Sequence, residues 1–254
     1  MLRSRGRCPR SPSSRSRGGS GPHDVAPGRG GEVWYTAQRI GLLGRLDPAT
    51  GATKTLPLGD GSTPLGVVVG PDAAPWVTDG GLNAIVRVDP STGALRWFPV
   101  PRPGADLNTL TFDGRGMLHF TGQDGVYGKV DPAGGVDVYE APRGRGPYGI
   151  ATTPDGTPWF SSLAGSYIAR VDPATARLDL VETATPGAGA RRVWSDSSGG
   201  LWVSEWFAGN LGRYDPRARQ WKEWKLPKTQ PQPYAVYVDV EDTVWAPTSP
   251  RTPS

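Results

Sequence analysis

Two markers recur together along the chain and fix what it can become. A tryptophan closes a short segment at Trp34, Trp76, Trp159, Trp202 and Trp245, and His119 holds the same place in a further copy, giving intervals of 42, 43, 40, 43 and 43 residues. The aspartate of an x-Asp-Pro turn recurs at Asp47, Asp89, Asp131, Asp172 and Asp215. A shared period of this size restricts the chain to a stack of like supersecondary units. One copy reads as four short apolar stretches separated by turns: PYGIATT, TPWFSS, YIARVDP and LDLVET. Each is short and rich in β-branched and aromatic residues, as strands are. The Pro-Asp-Gly at 154–156 and the Asp-Pro-x-Thr-Gly runs at 47–51 and 89–93 put Pro and Gly where tight turns need them. Four antiparallel strands per unit describe a propeller blade, which buries both faces only when neighbours stack on it. A helical solenoid would need helix-length apolar stripes, and the copies contain none.

The expected fold is therefore an all-β propeller of four-stranded antiparallel blades. Five full units span 22–63, 64–106, 107–146, 147–189 and 190–231, and a partial sixth begins at Gln232. The repeat gives way to APTSPRTPS soon after Trp245, so residues 21–245 read as propeller and 246–254 as a non-repeat tail. An open ring leaves unpaired edges, and the sequence reads as a truncated or frame-shifted chain; a ring that closes would be expected to be monomeric.

Charge excludes one function class. The net charge of +4 is carried by residues 1–20, which hold six Arg and no acid; the remaining 234 residues have a net charge of −2. A nucleic-acid reader needs its basic residues on the folded face, so no nucleic-acid partner is expected and the Ser/Arg/Gly tail reads as a disordered extension. It has no continuous apolar stretch behind its arginines, as a secretory signal would, and a cytoplasmic location is expected. No apolar run approaches the roughly 18 residues of a membrane helix, and no membrane partner is expected. The single cysteine, Cys8, makes neither an internal disulfide nor a Cys-based zinc site. There is no Gly-x-Ser-x-Gly elbow, His-Glu-x-x-His pair or phosphate-binding glycine loop.

The units resemble the streptogramin B lyase (virginiamycin B lyase) family, most closely in PYGIATTPDGTPWF at 147–160 and LWVSEWFAGNLGRYDP at 201–216, and in weaker form over 22–245. The resemblance implies a seven-bladed propeller that opens a cyclic depsipeptide lactone. A histidine base removes the Cα proton, Mg²⁺ stabilises the enolate and the ester C–O bond breaks without water. It further implies that the reacting groups lie at two repeat positions at one end of the channel: the residue after the Pro that opens the innermost strand, and the acid three residues after the Trp.

At the first position stand His23, Leu65, Asn108, Tyr148, Arg191 and Tyr234; at the second, Ala37, Asp79, Gly122, Ser162 and Glu205. Equivalent positions of a repeat face the same end, so both sets should ring one pocket. His23 is the one base of suitable pKa on the ring and Glu205 matches the family acid; these are the catalytic candidates. Glu205 and Asp79 are the candidate Mg²⁺ ligands, and Asp79 can equally be a turn residue. Asn108, Tyr148, Arg191 and Tyr234 are expected to line the substrate site by stacking and hydrogen bonding. The family's catalytic histidine position holds Tyr234, and Gln232 stands where a metal-binding Glu is expected. His119, at a Trp anchor, reads as a packed strand residue. The expected ligand is a small cyclic peptide. The alternative is a non-catalytic propeller that binds a small molecule, peptide or protein at the channel mouth.

Overall fold

Five consecutive antiparallel meanders set the architecture of the computed structural model, which describes residues 21–227 and 232–249. Blade 1 is β1 (Pro22–Pro27), β2 (Val33–Ala37), β3 (Leu42–Leu46) and β4 (Thr53–Pro57). Blade 2 is β5 (Pro64–Val69), β6 (Pro75–Asp79), β7 (Ala84–Val88) and β8 (Leu95–Pro99). Blade 3 is β9 (Leu107–Phe112), β10 (Leu118–Gly122), β11 (Val126–Val130) and β12 (Val136–Glu140). Blade 4 is β13 (Pro147–Thr152), β14 (Pro158–Ser162), β15 (Tyr167–Val171) and β16 (Leu178–Glu182). Blade 5 is β17 (Ala190–Ser195), β18 (Leu201–Glu205), β19 (Asn210–Asp215) and β20 (Gln220–Lys225). In each sheet the strands lie in sequence order, and the first strands of successive blades pack side by side around the centre.

Blade 6 is a single broken hairpin. Its β21 (Gln232–Pro233) pairs with β24 (Thr248–Ser249), and β22 (Tyr237–Val238) with β23 (Val244–Trp245). Thr248–Ser249, in the segment expected as a non-repeat tail, folds back onto the opening of the blade. The basic tail expected at 1–20, and residues 250–254, lie outside the described residues.

The core is divided among blade interfaces, as stacking demands. Leu43 and Trp34 meet Val67, Val77 and Val86 between blades 1 and 2, and Ile85 and Phe98 meet Leu107, Leu118 and Phe120 between blades 2 and 3. Tyr127 packs with Phe160 and Tyr167, and Trp159 with Val193, Val203 and Tyr214. Trp245, in the hairpin of blade 6, is 57% exposed, against 5% for Trp159 in a four-stranded blade.

Both repeat markers have a physical cause. The turn aspartate accepts a backbone amide two residues on, at 2.9 Å from Ala49 to Asp47, Ser91 to Asp89 and Ala174 to Asp172, and at 2.8 Å from Arg217 to Asp215. In three blades the tryptophan ties its strand to the turn of its own hairpin: its indole N–H donates to Asp72 from Trp76 (3.3 Å), to Asp196 from Trp202 (3.0 Å) and to Asp239 from Trp245 (2.9 Å). His119 does the same work, with Nε2 3.0 Å from Asp113 in a buried pair. Its substitution for tryptophan conserves a donor at that point.

Candidate functional site: the channel mouth

One irregularity is repeated in every full blade. Pro22 faces Ala37 and Val25 faces Tyr35, so the inner strand carries one residue more than its partner; the same surplus falls at Pro64/Val67, Leu107/Leu110, Pro147/Ile150 and Ala190/Arg192. A bulge of this kind re-aims side chains, and it sits at the first ring position of each of the five full blades: His23, Leu65, Asn108, Tyr148 and Arg191.

A buried hydroxyl locks each of the first four bulges to the next blade. Thr78 Oγ1 accepts from Gly66 N (2.8 Å) and donates to the Asn108 carbonyl (2.5 Å). Thr36 Oγ1 accepts from Asp24 N and donates to Leu65 O; Thr121 Oγ1 accepts from Thr109 N and donates to Tyr148 O; Ser161 Oγ donates to Arg191 O. The hydroxyl stands two residues after each anchor, and it holds the ring residues in register. Glycine lets the blades approach: a Cβ on Gly66 would lie 2.7 Å from the Asn108 carbonyl oxygen.

Four of the expected ring residues converge. Arg191 is 5% exposed, and its guanidinium donates to the Tyr148 hydroxyl (2.6 Å) and to the Tyr234 carbonyl oxygen. It lies against the rings of Tyr234, Tyr148 and Trp206, at 3.6, 4.5 and 5.2 Å from their centroids. The Tyr234 hydroxyl is 3.4 Å from His23 Nε2, which brings blade 6 and blade 1 to one point. Burial, with the positive charge of Arg192 second, pushes the His23 imidazole below the ordinary histidine value, and its Nδ1 is buried without a hydrogen-bond partner. Burial raises the neighbouring Asp24 carboxyl, an effect that Arg192 partly offsets.

The other candidates stand apart. Asp79 is fully buried and spends its oxygens on the loop: it accepts from Ser62 Oγ, Thr63 N (2.9 Å) and Leu82 N (3.0 Å). Asn108 is fully buried with both amide atoms unpaired. Glu205 is also fully buried, and its carboxyl lies over Gly212 of β19, where a Cβ would sit 2.6 Å from Oε1. Burial, reinforced by the Glu223 charge, pushes it up to about 8. Glu205 and His23 thus lie in separate surroundings. Among the described residues no three His, Cys, Asp or Glu side chains gather as a metal site requires. A hard cation wants several oxygen ligands; the Asp79 oxygens are spent on the loop and no third His, Cys, Asp or Glu joins Asp79 or Glu205 among the described residues, so the pair expected from the sequence does not fit Mg²⁺ as it stands. A groove of about 720 Å³ opens between blades 4 and 5 at the opposite end, lined by turn residues such as Asp155, Ser198 and Arg217, away from the ring.

The model of the virginiamycin B lyase family matches residues 11–250. The chain belongs to that family. The match starts inside the segment expected as a tail. The virginiamycin B lyase of Nocardia farcinica is 32% identical over 233 residues, which cover 88% of this chain and 76% of that one. A catalytically inactive virginiamycin B lyase of Staphylococcus aureus, solved with quinupristin, superposes with a TM-score of 0.84 at 24% identity, over 91% of this chain and 78% of the other. Regucalcin of Agrobacterium tumefaciens, a calcium-binding protein, shares the fold at a TM-score of 0.63 and 17% identity, over 85% and 77% of the two chains. Within the family frame, two members of the site escape a reading of the ring positions. Trp206 directly follows the Trp-x-x-Glu acid, and Arg192 directly follows a ring residue; adjacency to each motif is the signal that marks them.

Proposed function

We propose that this protein opens a cyclic depsipeptide lactone by C–O elimination at the channel mouth, with His23 as the base. The observation that supports it is the convergence of His23, Tyr148, Arg191 and Tyr234 in a chain of this family. A depressed imidazole pKa keeps His23 neutral near pH 7, the form that accepts a proton. The Cα–H electron pair forms the Cα=Cβ bond, the Cβ–O bond breaks, and its electrons leave on the ester carboxylate; no water is consumed. The Tyr148 hydroxyl, held by Arg191, is a donor for the enolate oxygen that develops.

The test is incubation with a streptogramin B, with and without Mg²⁺, followed by liquid chromatography and mass spectrometry. Elimination yields a linear isomer of unchanged mass, whereas hydrolysis adds a water. Absence of the isomer from folded protein removes the lyase reading. A binding-only propeller is the second reading, favoured by Tyr234 at the family's histidine position and by the absence of a carboxylate cluster among the described residues. It would be supported by ligand that binds and is recovered intact.

A further inference from the structure

Consecutive residues of a regular strand point to opposite faces. The bulge between Ala190 and Arg192 makes Arg191 the surplus residue, and both guanidinium carbons end over one ring, 4.5 and 5.7 Å from the Tyr148 centroid. Among the described residues neither guanidinium lies within ion-pair distance of a carboxylate. Arg191 donates to a carbonyl and a phenol, and Arg192 Nε is buried with no partner. The ion pairs among the described residues lie elsewhere, at Arg87–Asp72, Arg102–Asp124, Arg143–Glu182 and Arg213–Asp196, for example. Asp24, the nearby acid, accepts instead from the Val25 and Val67 amides. A buried cation and a half-buried one, neither in a direct ion pair, are costly, and aromatic faces offset part of that cost. A ligand anion would offset the rest, and guanidinium forks match a carboxylate in geometry.

We propose that Arg191 and Arg192 form a carboxylate-binding pair at the channel mouth, selecting ligands in which a carboxylate accompanies an aromatic group stacked among Tyr148, Trp206 and Tyr234. The proposal rests on the reading of this mouth as the ligand site. It deepens that reading: in the elimination the group that departs is a carboxylate, the kind of anion a guanidinium pair receives.

The chain contains two histidines, His23 at the mouth and His119 buried in blade 3, so a histidine NMR spectrum localises a ligand. The probes are 3-phenylpropionate and its neutral amide, 3-phenylpropionamide, titrated by calorimetry and by the two imidazole C2–H signals. The acid should bind about tenfold or more tightly than the amide and shift the His23 signal, leaving His119 in place. Arg192→Gln should bring acid and amide to within about twofold, and Arg192→Lys should retain part of the preference. An unmoved His119 signal in each variant reports intact folding. Arg192 is the better probe because Arg191 also ties blade 6 to the ring. Equal affinities in the wild type, a preference that survives Arg192→Gln, or no binding of either compound overturns the proposal. An amide that binds as well as the acid and shifts His23 overturns the pair yet leaves the mouth a ligand site. A streptogramin that is neither bound nor opened removes the lyase reading and leaves the acid–amide comparison standing.

Discussion

Replacing Glu205 by glutamine should make the protein less sensitive to alkali. Its carboxyl is fully buried over Gly212, neither oxygen has a hydrogen-bond partner, and Glu223 adds like charge, its own oxygens accepting from Thr185 N (2.9 Å) and Thr185 Oγ1 (2.7 Å). The rise from 4.5 to about 8 means that the folded state holds a proton the unfolded chain releases. For a raised carboxyl the stability is fully present below about 4.5 and is lost as pH climbs through about 8. At about 1.4 kcal/mol per pH unit, the loss between pH 5 and pH 8 comes to roughly 3–4 kcal/mol. The two histidines, whose values are depressed, act in the opposite sense and lose stability as pH falls, so a wild-type curve alone mixes the effects. The difference between Glu205→Gln and wild type isolates the carboxyl. Urea denaturation of both at pH 5 and pH 8 should show that difference growing by about 3 kcal/mol in favour of the variant. Glu223→Gln, which removes the second cause, should shrink the wild-type loss. Parallel curves for wild type and Glu205→Gln would refute the argument and show that the carboxyl is solvated or paired.

Three further outcomes follow from the same geometry. His23→Gln should cut streptogramin turnover by about 10²–10⁴, and wild-type kcat/KM should stay level above about pH 6.5 and fall only at lower pH, because the His23 value is depressed; steady-state rates from pH 5 to 8 check both. His119→Ala removes a buried side chain and the donor to Asp113, and should cost about 2–4 kcal/mol of stability in urea titrations without moving the pH profile of turnover. Thr78→Val keeps the shape but leaves Gly66 N and Asn108 O unpaired between blades 2 and 3; a loss of about 2–4 kcal/mol is expected by the same assay, while Thr50→Val, on an exposed turn, should change it by less than about 1 kcal/mol.

The period of the sequence by itself determined the blades, their number and which positions recur at one end. That information is local: the turn aspartate needs only the amide two residues on, and the anchor indole needs only the aspartate of its own hairpin. Even His119 could be placed, because its partner lies six residues away. What each ring residue does was decided by the tertiary structure. Asp79 and Glu205 occupy one repeat position, yet the first meets three donors and the second meets Gly212 and another acid. Those neighbours come from elsewhere in the fold, and no spacing encodes them. Arg191 and Arg192 share a face only because the inner strand carries one residue more than its partner, and His23 reaches Tyr234 only when the arc of blades brings residues 211 positions apart together. A repeat fixes position along a strand, whereas charge, burial and partners are properties of the space between strands.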